Sequence, residues 1–174
     1  LSNYQVVTNP KEFSLRLESD PLLYQKLEDF DFSSGVDANE IESSMIAIMS
    51  IFKGIGIAAN QVGFDKRVIV IKPKGQQPFA MFNPVVVESS KSRTDEEGCL
   101  SFPNLYIPIE RPNEVTVKYL DKEQKECTIT LSGYDAKCVL HEIDHLDGIT
   151  FTKRVSTMKL AFALKKRKIN GRTK

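Results

Sequence analysis

The chain has 174 residues, 41% hydrophobic and 27% charged, enough to bury a core and to form a single domain over residues 1–174. No apolar run approaches the roughly 20 residues of a membrane span, and the first residues show no charged stretch followed by an apolar one, which argues against a membrane protein and a secretory leader. The net charge of +1 conceals an asymmetry: residues 153–174 carry nine Lys or Arg and no acid, while the rest carries 15 basic and 23 acidic side chains. A basic end of this kind suits an anionic partner or, more plainly, a solvated surface helix. The three cysteines, Cys99, Cys127 and Cys138, cannot all pair, so free or metal-bound thiols in a reducing compartment are expected.

Residues 36–53, VDANEIESSMIAIMSIFK, repeat Ile41, Met45, Ile48, Met49 and Phe52 at helical spacing, with Asp37 to cap the start and Gly54 to stop the end. GIGIAANQVG, residues 54–63, lacks a P-loop lysine and the spacing of a dinucleotide fingerprint, so by itself it reads as a turn. Gly54 and Gly56 allow another backbone to come close, and Gln61 offers an amide donor. RVIVIK (67–72) and FAMFNPVVVE (79–88) read as strands, and EVTVKYL and KECTITL flank DKEQ as a hairpin. Cys127 falls in that last strand and is expected to be a small buried hydrophobe. YDAKCVLHEIDHLDG (134–148) reads as a helix with Ser132 as cap and Gly148 as stop. The final helix, 155–169, has an apolar stripe of Val155, Met158, Phe162 and Ile169 to dock on the body. That leaves Lys165, Lys166, Arg167, Lys168, Arg172 and Lys174 for phosphates. Hairpins with three separate helices argue for an α+β fold.

Both histidines of the chain lie in the helical segment 134–148. At about 100° per residue, Tyr134, Cys138, His141 and His145 share one helical face with Glu142 beside them. Ala136, Val139, Leu140, Ile143, Leu146 and Asp147 take the opposite face, with Lys137 and Asp144 on the edge. Histidines at i and i+4 can reach one cation, and the adjacent Glu142 can take a proton from water. A third ligand has to be an acid or a cysteine, and EEGCLSFP (96–103) offers Cys99.

Taken together, GIGIAANQ, EGCLS and HEIDH resemble the three signature motifs of peptide deformylases. DPLLYQKLEDF near the start and the order of strands, hairpin and last helix extend the resemblance over most of the chain. It implies antiparallel sheets packed around a central helix bearing HEIDH, with helices toward both ends. It implies a metallohydrolase that removes the formyl group from the initiator methionine of nascent peptides, water polarised at the metal attacking the formyl carbon and formate leaving. The metal implied is iron(II), with zinc, nickel or cobalt able to substitute. The setting implied is a bacterial-type cytoplasm, or that of a bacterial host if a mobile genome encodes the chain, with an organelle as the alternative.

The resemblance carries over residue by residue. Cys99, His141 and His145 match the metal ligands, Glu142 the general acid/base, and Gln61 with the backbone N–H of Leu100 the oxyanion donors. Ile55, Gly56 and Gly98 lie in segments that meet the extended peptide, Glu97 braces the motif at the substrate's edge, and Tyr134 and Cys138 line the methionine pocket. The chain departs from the family's common pattern at Leu140, Lys53 and Tyr106, where Gln, an acid and Arg are frequent. From the residues alone, two rivals stay open: a general metallopeptidase, and a non-enzymatic module whose structural metal is closed by an acid or Cys138. The basic tail fits ribosomal RNA as its anionic partner, with no sequence-specific nucleic-acid contact and no membrane.

Overall fold

A computed structural model describes residues 5–171. Helix α1 spans Ala38–Ile51, α2 Gly133–Leu146 and α3 Thr157–Asn170. The strands are β1 (Gly56–Ala58), β2 (Val68–Ile71), β3 (Phe79–Ser90), β4 (Arg93–Cys99), β5 (Phe102–Arg111), β6 (Glu114–Leu120) and β7 (Glu126–Ser132). One antiparallel sheet runs β1-β2-β3-β6-β7, and β4 and β5 form a second of two strands. The architecture is α+β, as the segment pattern predicts.

The five-stranded sheet forms because β2 and the first half of β3 are apolar on both faces and become largely buried. Ile41, Met45 and Met49 of α1 and Ala136, Val139, Ile143 and Leu146 of α2 join Ile57, Ile69, Met81 and Phe82 in one core. A smaller core gathers Leu23, Phe102, Leu105, Ile107, Ile109, Phe151 and Ala163 beneath the second sheet. Helix α2 lies where these meet. Its apolar side enters the larger core, and its polar side faces β4 through His141, which is 2.9 Å from Glu97.

Several local expectations change. Residues 56–58 are not only a turn: they pair with β2, Gly56 opposite Ile71. Asp37 caps α1 by accepting from the N–H of Asn39 at 2.9 Å. The left-handed residue that ends α1 is Lys53 (φ 55°), while Gly54 is needed for a close approach, since a Cβ there would lie 2.8 Å from Leu100 Cδ1. Ser132 precedes α2 without a side-chain capping bond. Gly148 does stop it: φ is 70°, and a Cβ would meet the backbone of Tyr24 and Gln25 at 2.7 Å. Cys127 is half-buried rather than buried: it shares the inner face of β7 with Ile129 and Leu131, but it lies near the start of the strand, where that face is less covered, and its thiol donates to Lys125 O at 3.6 Å.

The docking stripe of α3 is also corrected. Met158, Phe162 and Ile169 are 82%, 73% and 57% exposed. Val155 does dock on the smaller core as expected, but Leu160 and Ala163 join it there in place of the other three, and Arg167 pairs with Glu18 at 2.9 Å. The small Ala163 lets the helix come close, and the ion pair fixes the same face. Arg167 is therefore not free for phosphates, and Arg172 and Lys174 lie outside the described residues. Among the described residues no helix is long and apolar enough to cross a membrane.

Candidate active site

His141 and His145 stand one turn apart on α2, their ring centres 5.0 Å from each other. Cys99 comes to them from the end of β4. The β4–β5 register runs evenly to Gly98 opposite Tyr106, then jumps so that Cys99 pairs with Phe102. The irregularity redirects the chain and sets Cys99 Sγ 3.3 Å from His145 Nε2. One donor atom from each of Cys99, His141 and His145 lies within 4.8 Å of the others. A soft thiolate with two imidazoles suits a first-row transition ion.

Buried charges hold this trio in place. Glu97 lies 2.9 Å from His141 Nδ1, so that nitrogen is the donor and Nε2 is left for the centre of the site. Arg111 donates to both oxygens of Glu97 and, at 2.8 Å, to Asp144. Arg154 secures Asp144 from the other side, with Nε at 2.9 Å. Burial alone raises the Glu97 carboxyl, but hydrogen bonds from His141 and Arg111 outweigh it and hold it below the usual range. Burial likewise disfavours charge on His141, yet Cys99 and Glu97 push its pKa well above the ordinary value. His145, buried and beside His141, is pushed well below.

Glu142 projects next to the trio. Burial is the main reason its pKa is pushed up to about 7. Its Oε2 is buried without a hydrogen-bond partner among the described residues, as is His145 Nδ1. Gly56 makes room for this carboxylate, since a Cβ there would lie 2.7 Å from both Glu142 Oε1 and Cys138 Sγ. Gln61 is fixed through its own oxygen, which accepts from Ala58 N–H at 2.9 Å, so its Nε2 turns inward, 3.1 Å from Ser101 Oγ and 3.5 Å from Cys99 Sγ. Asn60 ties this loop to α2 by donating to His145 O at 2.7 Å.

A cavity of about 530 Å³ opens over the site. Of the residues singled out in the sequence, Ile55, Gly56, Gln61, Glu97, Gly98, Cys99, Leu100, Tyr134, Cys138, His141 and Glu142 line it, while His145 lies behind, fully buried. The donors match what a catalytic ion needs, three protein ligands with space on the open side, and Glu142 lines the same cavity. Arg111, Arg154, Asn60, Ser101 and Lys137 also belong to the site and its supports, and sequence reasoning missed them. Asp144, charged and at the edge of a half-buried helix, was the one hint that such partners exist.

The family model described as "Polypeptide deformylase" matches residues 14–161. The chain belongs to the peptide deformylase family. A relative from Rhizobium meliloti (strain 1021) named "Peptide deformylase" is 41% identical over 128 residues, 71% of this chain and 74% of that one. Another from Maricaulis maris (strain MCS10) is 38% identical over 152 residues, 84% of this chain and 87% of its own. The crystal structure of a peptide deformylase from Legionella pneumophila superposes with a TM-score of 0.83 at 31% identity, covering 92% of this chain and 96% of that one. Peptide deformylases are metal-dependent hydrolases that remove the N-formyl group from nascent peptides. The α+β fold and the enzymatic class implied by the three motifs are thereby established.

Proposed function

We propose that Cys99, His141 and His145 hold the metal ion of this deformylase and that Glu142 is its general acid/base, with the whole chain acting as one catalytic domain. The observation that carries this reading is the convergence of those three donors beside a buried carboxylate oxygen without a partner. The ion is iron(II), following the resemblance, and zinc, nickel or cobalt can replace it because a Cys/His/His set accepts several first-row ions. When bound, such an ion supplies Lewis acidity that makes water nucleophilic near neutral pH. Among the described residues this donor group has three members, which leaves a position open and disfavours a purely structural metal.

Glu142 takes a proton from the attacking water and returns it to the amine that leaves, so formyl amide and water become formate and a free amino terminus. Gln61 Nε2 and the Leu100 N–H receive the negative charge that grows on the formyl oxygen, each such donor worth about 3–4 kcal/mol of barrier. Ile55, Gly56 and Gly98 present backbone to an extended peptide, and Tyr134 and Cys138 flank the methionine side chain. Replacing Cys99 by serine is expected to weaken metal binding at least about tenfold, since removing even an outer partner of a ligand costs that much. Titration with nickel or cobalt checks this, and unchanged affinity would remove Cys99 from the ligand set.

The enzyme works in a bacterial-type cytoplasm or an organelle, where formylated chains leave the ribosome. Lys165, Lys166 and Lys168 lie on the exposed part of α3, and we assign them to ribosomal RNA. The triple change of these lysines to alanine is expected to reduce ribosome co-sedimentation at low salt, with formyl-peptide turnover intact. Equal sedimentation would leave α3 as a solvated helix.

A further inference from the structure

The cavity above the metal donors is not apolar at the place meant for the first side chain. Lys137 and Cys138 lie about one helical turn, roughly 5.4 Å, before His141 on α2, and Tyr134 stands another turn out at the mouth. An unbranched four-atom side chain that begins beside the formyl group spans about that turn. The Cys138 thiol is occupied, donating to Ile55 O at 3.4 Å. Lys137 lines the cavity although it is only 8% exposed. Its ammonium donates to Glu96 O at 2.9 Å and stands 3.7 Å from the centre of the Tyr134 ring. A carbonyl and an aromatic face offset the desolvation of a lysine, and together they engage two of its three N–H groups. The third has no partner among the described residues, and the side chain that carries it lines the cavity.

We propose that Lys137 is a specificity-determining residue that lets this enzyme process formylated chains whose first side chain ends in a neutral hydrogen-bond acceptor, methionine sulfoxide, as well as methionine. The inference rests on the reading of the cavity as the formyl-peptide site. Oxidation turns the thioether into a polar S=O. An all-apolar pocket strands that oxygen and discriminates against it by about 10- to 100-fold. Lys137 gives it a charged donor, and a charge-assisted bond is the stronger kind. The thioether of methionine asks nothing of the ammonium, which keeps Glu96 and Tyr134. The first residue of a formylated chain is methionine, so the acceptor that reaches Lys137 is the neutral one that oxidation of methionine makes.

The test compares kcat/KM for formyl-Met-Ala-Ser and its sulfoxide in nickel-loaded wild-type protein, Lys137→Met and Lys137→Arg. Wild type is expected to favour methionine by less than about tenfold. Lys137→Met should widen that preference at least about tenfold, chiefly through KM, and Lys137→Arg should hold it near the wild-type ratio. Each ratio is internal to one protein, so a smaller folded fraction cancels. A ratio unchanged in Lys137→Met, or a wild-type preference above about 100-fold, overturns the inference while methionine turnover still stands. Absence of formate from both peptides overturns instead the reading of the site beneath it.

Discussion

Replacing Glu142 by alanine is expected to lower turnover of a formyl-Met peptide by at least about 10²-fold while the metal content stays that of the parent. The side chain is next to the donor trio but is not one of its members. It is buried, and one of its oxygens has no partner among the described residues, so it is placed to exchange protons rather than to hold structure together. Burial raises its proton affinity, which suits a group that takes a proton and gives it back. The alanine variant removes a buried carboxylate that had no ion-pair partner, so stability should not fall. Metal analysis beside steady-state kinetics decides: near-normal turnover with normal metal would take Glu142 out of the chemistry.

Arg111→Met is expected to lower folding stability by about 3–5 kcal/mol, the cost of breaking a buried ion pair by removing one partner. The Arg111, Glu97 and Asp144 side chains are 6%, 2% and 10% exposed, so water cannot replace the lost guanidinium. Arg154 still reaches Asp144, while Glu97 is left to its bond with His141. That carboxylate would then draw a proton, or draw His141 toward it, and the ring would lose its fixed orientation. Urea unfolding measures the first effect and metal titration the second. A loss under about 1 kcal/mol would reduce the network to an exposed, screened kind of pairing. The double variant Arg111→Met with Glu97→Gln should recover part of the loss, because it removes the stranded charge as well.

What the sequence revealed depended on range. The histidine face was legible because Tyr134, Cys138, His141 and His145 recur within one helix, and helical geometry alone places them together. Strands β2, β3, β6 and β7 showed themselves through β-branched runs and alternation around a polar turn. The β4–β5 pair did not. Strand β4 reads RTDEEGC, nearly all polar, and β5 contains Pro103 and Pro108, which count against a strand until an edge position is known. The support of the metal donors was hidden for a related reason. Arg111 meets Glu97 across 14 residues and Asp144 across 33, and no local period encodes such distances. Lys137 fell on the edge of the helical wheel, where a lysine ordinarily reaches solvent. The approach of β4 and the Tyr134 ring cover it. The face of α3 was misjudged because hydrophobicity was weighed above fit, and the small Ala163 with Arg167 chose the other side.

The most direct measurement is release of formate from a formyl-Met peptide by purified protein loaded with nickel or iron(II), in parallel with acetyl-Met and unmodified peptides and with a chelator added. A metal held by Cys99, His141 and His145 predicts formate from the formyl peptide alone, abolished by the chelator and restored by added metal. Formate release that persists after the metal is stripped, or cleavage of internal bonds in the unmodified peptide, would contradict a centre of these three residues built for the formyl group.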